Sequence, residues 1–151
     1  MSDVVAAVIA GARRRAVRDG DARIDTAHLL HGLLESDPDV RDAFPGGAPQ
    51  VIRLLGYLVQ RAIGYGLRWS GSVEDSGAAR SAGSGMAGWS PAAAAALDAA
   101  VRRAASRGAP RADGLDLLAA LVQDRECRAM EVLRRAGVAV APLVTALEAE
   151  I

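Results

Sequence analysis

Residues 24–40 read IDTAHLLHGLLESDPDV, and residues 112–128 read ADGLDLLAALVQDRECR. The second stretch repeats the character of the first at a shift of 88 positions: Asp25 aligns with Asp113, Leu29 with Leu117, Leu30 with Leu118 and Leu33 with Leu121. The match extends upstream, where Arg23 meets Arg111, Gly20 meets Gly108, and Ser2 meets the Ser90-Pro91 pair. A repeat of this length implies one helical unit used twice, with each half covering the other's apolar face.

The pattern within each copy is helical. Ser2 is an N-cap with Asp3 in the first turn, and Val4, Val5, Val8, Ile9, Ala12 and Ala16 form a stripe at helical spacing that stops at Gly20. A second helix is expected from Thr26 to about Glu35, capped by Asp25 or Thr26. Asp37-Pro38 reads as a cap followed by proline at the first helical position, opening a short third helix to about Phe44. Pro45-Gly46-Gly47 breaks the chain, and a fourth helix from about Pro49 to Ile63 is expected to turn Val51, Ile52, Leu54, Leu55, Leu58, Val59 and Ala62 toward the core. In the second copy, Ser90 caps a helix that starts at Pro91 and runs to about Arg107. Helices over 114–123, 125–136 and 140–151 follow. Between the copies, residues 64–89 hold seven glycines and five serines without helical period and read as a linker. The expected fold is therefore all-α: a single domain of about eight helices, with repeat 1 at about 1–63, a Gly/Ser-rich connection at about 64–89 and repeat 2 at about 90–151, related by pseudo-two-fold symmetry.

Composition narrows the function classes. The chain is 51% hydrophobic with five aromatic residues, which suits closely packed Ala/Leu helices. Its formal net charge is zero, so nothing supplies the broad attraction that nucleic acid binding requires. The Arg13–Arg15 triple sits in the C-terminal half of the first helix, where cations are favourable. All eighteen basic residues are arginine, so a phosphate-loop lysine is excluded. A single Cys127 forms no internal disulfide, and the Met-Ser-Asp start is not a basic segment before an apolar core. A cytosolic setting without a signal peptide or membrane span is the expectation.

No catalytic set emerges. His28 and His31, the two histidines, are spaced for one helix face but lack the further ligands of a zinc site. No serine sits in a G-x-S-x-G elbow, no Gly-rich phosphate motif follows a strand, and Asp37 and Asp39 are explained by capping. Neither cofactor nor metal is expected. Trp89 stands out: an aromatic just before a cap folds back as a hydrophobic staple, or anchors a peptide or ring-shaped ligand beside the helix start. The starts at Ser2 and Ser90 offer N–H groups that favour an anion, and two-fold symmetry would relate them as pockets.

The pattern W-S-P-x-A-x-x-x-L-x-x-A from Trp89, together with the stretch Asp25-Thr26-Ala27-His28-Leu29-Leu30-His31-Gly32-Leu33, resembles the Clp N-terminal domain. That domain precedes the ATPase rings of ClpA- and ClpC-type unfoldases, is a duplicated four-helix repeat, and matches over nearly the whole chain. The second copy, Asp113-Gly114-Leu115-Asp116-Leu117-Leu118-Ala119-Ala120-Leu121, is a degraded form of the same signature. The resemblance implies binding rather than catalysis: such domains receive adaptor proteins and substrates, and ClpC-type members recognise phosphoarginine and cyclic-peptide antibiotics. The glutamates that engage phosphoarginine are replaced by Ala27 and Leu115, which removes the charged partners of a guanidinium. Trp89 matches the aromatic that lines the cyclic-peptide surface, with Met1 as its counterpart in the first repeat. The resemblance thus implies a peptide-, adaptor- or cyclic-peptide-binding module with Trp89, Ser90, Met1 and Ser2 as candidate ligand residues. Lacking ATPase domains, it is expected to act as a decoy or an accessory to a Clp protease, or to be an excised domain. The other reading is a structural module that self-associates or docks on a Clp ATPase–protease complex.

Overall fold

In the computed structural model the described residues are 2–20, 23–62 and 88–149. Met1 and most of the expected connection, residues 64–87, lie outside them. Eight helices and no strand occur among the described residues: α1 (Asp3–Asp19), α2 (Thr26–Ser36), α3 (Pro38–Asp42), α4 (Gly47–Ala62), α5 (Pro91–Ser106), α6 (Gly114–Gln123), α7 (Arg128–Arg135) and α8 (Val140–Ala149). The fold is the all-α duplicated repeat that the sequence implied.

The helix starts follow from side-chain caps. Ser2 Oγ accepts from the Val5 N–H at 3.2 Å, and Ser90 Oγ accepts from the Ala93 N–H at 3.1 Å. Asp25 and Asp113 each build a reciprocal box. Asp25 Oδ1 accepts from the His28 N–H while His28 Nδ1 accepts from the Asp25 N–H, and Asp116 plays the histidine's part in the second copy. Gly20 and Gly108 end the first helices of the two repeats at φ of 72° and 76°, a region that glycine enters without a Cβ penalty.

Two helix starts differ from the sequence expectation, and α3 ends at Asp42, two residues before the expected Phe44. Helix α7 starts at Arg128 and not near 125, because Asp124 forms a turn whose carboxylate and carbonyl accept from the Glu126 and Cys127 N–H groups. Helix α4 starts two residues before Pro49, which its first turn tolerates because that N–H has no intrahelical partner in any case.

The core runs through both copies without a break, from Val8, Ala12 and Leu30 in the first to Leu97, Ala100 and Leu118 in the second. Helix α4 contributes Val51, Leu54 and Leu58, but Ile52 and Val59 are 68% and 48% exposed. Their expected burial is a correction: the apolar residues of α4 wrap too far round the helix for one packed stripe to cover them. Val4, also assigned to a buried stripe, is 36% exposed for the same reason.

The halves are stitched by reciprocal bonds. The Ser90 N–H donates to Ile24 O at 2.9 Å, and the Ser2 N–H donates to Ala112 O at 2.9 Å. These are the same bond under the repeat's offset, so each copy's first helix begins on the other copy. The second helices likewise reach across. Thr26 Oγ1 accepts from the Ala129 N–H at 2.9 Å, and Arg128 pairs with Asp25 at 3.0 Å. Cys127, the N-cap of α7, makes no side-chain cap bond, so the threonine of the other repeat supplies that acceptor.

Candidate functional site

Trp89 lies at the junction of the repeats. Its neighbour Gly88 accepts from the Ile24 N–H at 2.8 Å, which aligns the chain beside Ile24 in a single parallel bridge. The indole is only 7% exposed and belongs to the core cluster. The guanidinium of Arg13, from α1, sits 5.6 Å from the ring centroid, within cation–π range. Ser90 is fully buried, with its N–H and Oγ engaged as described. Ser2 is half-buried in the matching position, and Met1 lies outside the described residues. The structure therefore brings Trp89 and Ser90 together at one helix start and sets Ser2 at its symmetry mate.

Ala27 and Leu115, at equivalent places in the two second helices, present no carboxylate. Ala27 is fully buried and Leu115 partly so. The nearby charges are already committed. Asp25 meets Arg128, while Asp116 is bound by Arg107 through both carboxylate oxygens and lies 3.7 Å from Arg103. The bond to Asp116 raises the pKa of Arg107 above its ordinary value, outweighing desolvation. His31 lies 3.6 Å from Glu35, whose carboxylate also takes the Arg15 guanidinium at 3.1 Å. Among the described residues, no group of three or more His, Cys, Asp or Glu side chains is arranged to hold a metal ion.

Sequence reasoning missed an open groove. Helices α5 and α6 are antiparallel, as Arg107 just past the end of α5 bonds Asp116 at the start of α6. Between them lies a depression of about 230 Å3 lined by Ala92, Ala96, Ala99, Ala120 and Leu121, with Arg102 and Asp124 also on its wall. A second hollow of about 130 Å3 shares Ala99, Ala120 and Gln123 and adds Arg103. The groove begins one turn beyond Trp89 and Ser90, so the buried tryptophan fixes the helix that forms its wall.

The matching helices of the first copy meet closely at Gly32. A Cβ added to Gly32 would sit 3.1 Å from both Cγ1 and O of Val8, so α2 rests directly on the backbone of α1. The equivalent of Gly32 is Ala120 and that of Val8 is Ala96, and both line the open groove of the second copy. Gly32 against Ala120 was the sequence signal for this asymmetry. Its meaning depended on knowing which helix lay opposite.

No family model matches the chain, and no curated protein matches it in sequence. Among solved structures, it is similar to the crystal structure of the N-terminal domain of the caseinolytic protease associated chaperone ClpD from Arabidopsis thaliana. The TM-score is 0.70 at 19% identity, over 99% of this chain and 93% of that one. No helix among the described residues is long and apolar enough to cross a membrane. The chain has the fold of a Clp N-terminal domain.

Proposed function

We propose that this protein is a non-catalytic, cytosolic module that binds peptide segments of Clp substrates or adaptor proteins. The observation that carries the reading is the open groove on a fold of the Clp N-terminal type. Trp89 and Ser90 serve as anchors that set the start of α5 against the first repeat, and Ser2 sets the start of α1 against the second. With Ala27 and Leu115 in the signature positions, the ligand is not phosphoarginine, and a cyclic-peptide antibiotic is one apolar alternative. Such a module serves regulated proteolysis as a decoy or an accessory that takes up Clp ligands. Calorimetric titration with reduced, carboxymethylated α-lactalbumin, a permanently unfolded protein, is expected to show saturable binding, and amide shifts are expected to concentrate on α5 and α6. Absence of binding to this probe and to peptides would remove the reading.

A second reading is favoured by α4. Ile52 and Val59 lie seven residues apart on one face and are both exposed, as on a surface that packs against a partner. Self-association or docking on a Clp ATPase ring would use that face. Sedimentation velocity, with and without a Clp ATPase, is expected to show a species that Ile52→Asp abolishes. A monomer that ignores the ring eliminates this second reading.

A further inference from the structure

We infer that the α5–α6 groove takes an extended apolar peptide segment that carries a carboxylate, with the carboxylate on Arg102. This rests on the peptide-binding reading above and names its site and the chemistry of its occupant.

The groove wall from Ala92 to Arg102 is ten residues of helix, about 15 Å at 1.5 Å per residue. That length accommodates about four or five residues of an extended chain. At about 230 Å3 the hollow is smaller than the roughly 300 Å3 at which small-molecule pockets begin, so it suits side chains of a peptide better than a cofactor. Five alanines of the helix walls and Leu121 form its apolar floor, which favours apolar side chains in the occupant, while Thr26, Arg102, Gln123 and Asp124 add polar groups at its edges.

Charge fixes the second requirement. Arg102 is exposed on the rim and forms no ion pair or hydrogen bond among the described residues. Asp124 lies toward the opposite end, because α6 runs antiparallel to α5, and its Oδ1 already accepts from the Glu126 N–H at 3.1 Å. The groove thus carries one charge of each sign, and the positive one, at the Arg102 end, is separated from the carboxylate and open to an incoming anion. The first copy differs in charge on the matching helix faces. There the equivalent of Gln123 is Glu35, which binds Arg15, the equivalent of Arg103, at 3.1 Å. In the second copy the glutamate is a neutral glutamine, Gln123, on the groove wall. That change removes a negative charge that would repel an acidic chain.

The test uses fluorescence anisotropy with three capped, labelled peptides of about eight residues: one of leucine and glutamate, one with glutamine for glutamate, and one with lysine. The acidic peptide is expected to bind tightest. Arg102→Gln is expected to weaken the acidic peptide about five-fold, the scale of one exposed charge pair, and to leave the glutamine peptide unchanged. Ala99→Phe, which fills the hollow from a half-exposed position, is expected to abolish binding of both while the helical circular dichroism is retained. Equal affinity for the acidic and lysine peptides, or affinity untouched by both substitutions, overturns the inference. So does self-association in sedimentation that Ala99→Phe abolishes, since the occupant is then a second copy. If the peptides and carboxymethylated α-lactalbumin bind but both variants bind as the parent does, only this site assignment falls. If neither probe binds, the peptide-binding reading falls with it.

Discussion

Gly114→Ala is expected to lower the stability of the fold by about 3 kcal/mol, although alanine is the better helix former. Gly114 opens α6, and its φ is not in the left-handed region, so the backbone itself accepts a side chain. The obstacle is Asp37. A Cβ at position 114 would lie 1.8 Å from Asp37 Oδ2 and 2.9 Å from its Cγ. The carboxylate has little freedom to retreat, because Oδ1 accepts from the Asp39 N–H at 2.9 Å as the cap of α3. Burial already pushes the Asp37 carboxyl above its ordinary pKa of 3.8, so turning the side chain deeper among apolar groups costs more. Loss of the cap, about 1 kcal/mol, adds to about 1–3 kcal/mol of overpacking. In a domain of this size a loss of about 3 kcal/mol moves the melting midpoint by about 10 °C, which calorimetry resolves. Asp37→Ala should cost the cap alone, and the double variant should be more stable than additive losses imply. An unchanged midpoint in Gly114→Ala would mean that Asp37 does not pack against α6 as described.

That prediction also shows what the sequence could and could not convey. The repeat, the all-helical class and the caps at Ser2, Asp37 and Ser90 were legible because each is a local pattern with one physical outcome, and the cap of the second helix was narrowed to Asp25 or Thr26. The Thr26–Gly114 mismatch was visible as a degraded signature, but its reason was not. Thr26 caps a helix in the opposite repeat, 103 residues away in sequence, and Gly114 vacates the same place for Asp37. Exposed Ile52 and Val59 were missed because periodicity marks an apolar face without saying how much of it a neighbour covers. The groove escaped for a related reason: its alanines read as good helix formers, and only the spacing of α5 from α6 turns them into a lining. Which helix faces lie opposite one another is a tertiary property that the alanine pattern does not state.

Trp89→Ala is expected to be the most damaging single truncation, at about 3–5 kcal/mol, the usual cost of emptying a buried aromatic site. The indole is 7% exposed, carries Arg13 over its face, and stands beside the hydrogen bonds that dock α5 on Ile24. Removing it leaves a cavity at the seam of the repeats, where neither half can collapse to fill the space without releasing the Ser90–Ile24 bond. Against a total stability of about 5–15 kcal/mol, the variant would be marginal at 37 °C. Binding measured on it would confuse lost contact with lost fold. Two milder variants separate these. Trp89→Phe keeps an aromatic ring in the core and should cost less than half as much by urea unfolding. Arg13→Gln removes the cation from the ring face and should cost less than about 1 kcal/mol. If Trp89 acts only by anchoring α5, both variants bind the acidic peptide as the parent does at temperatures where they are folded. If the indole itself meets ligand, as the resemblance implies, Trp89→Phe loses affinity while keeping its fold, and Arg13→Gln changes affinity by altering access to the ring. The 7% exposure favours the first outcome, which would make the buried tryptophan the foundation of the binding surface and the alanine wall of α5 the surface itself.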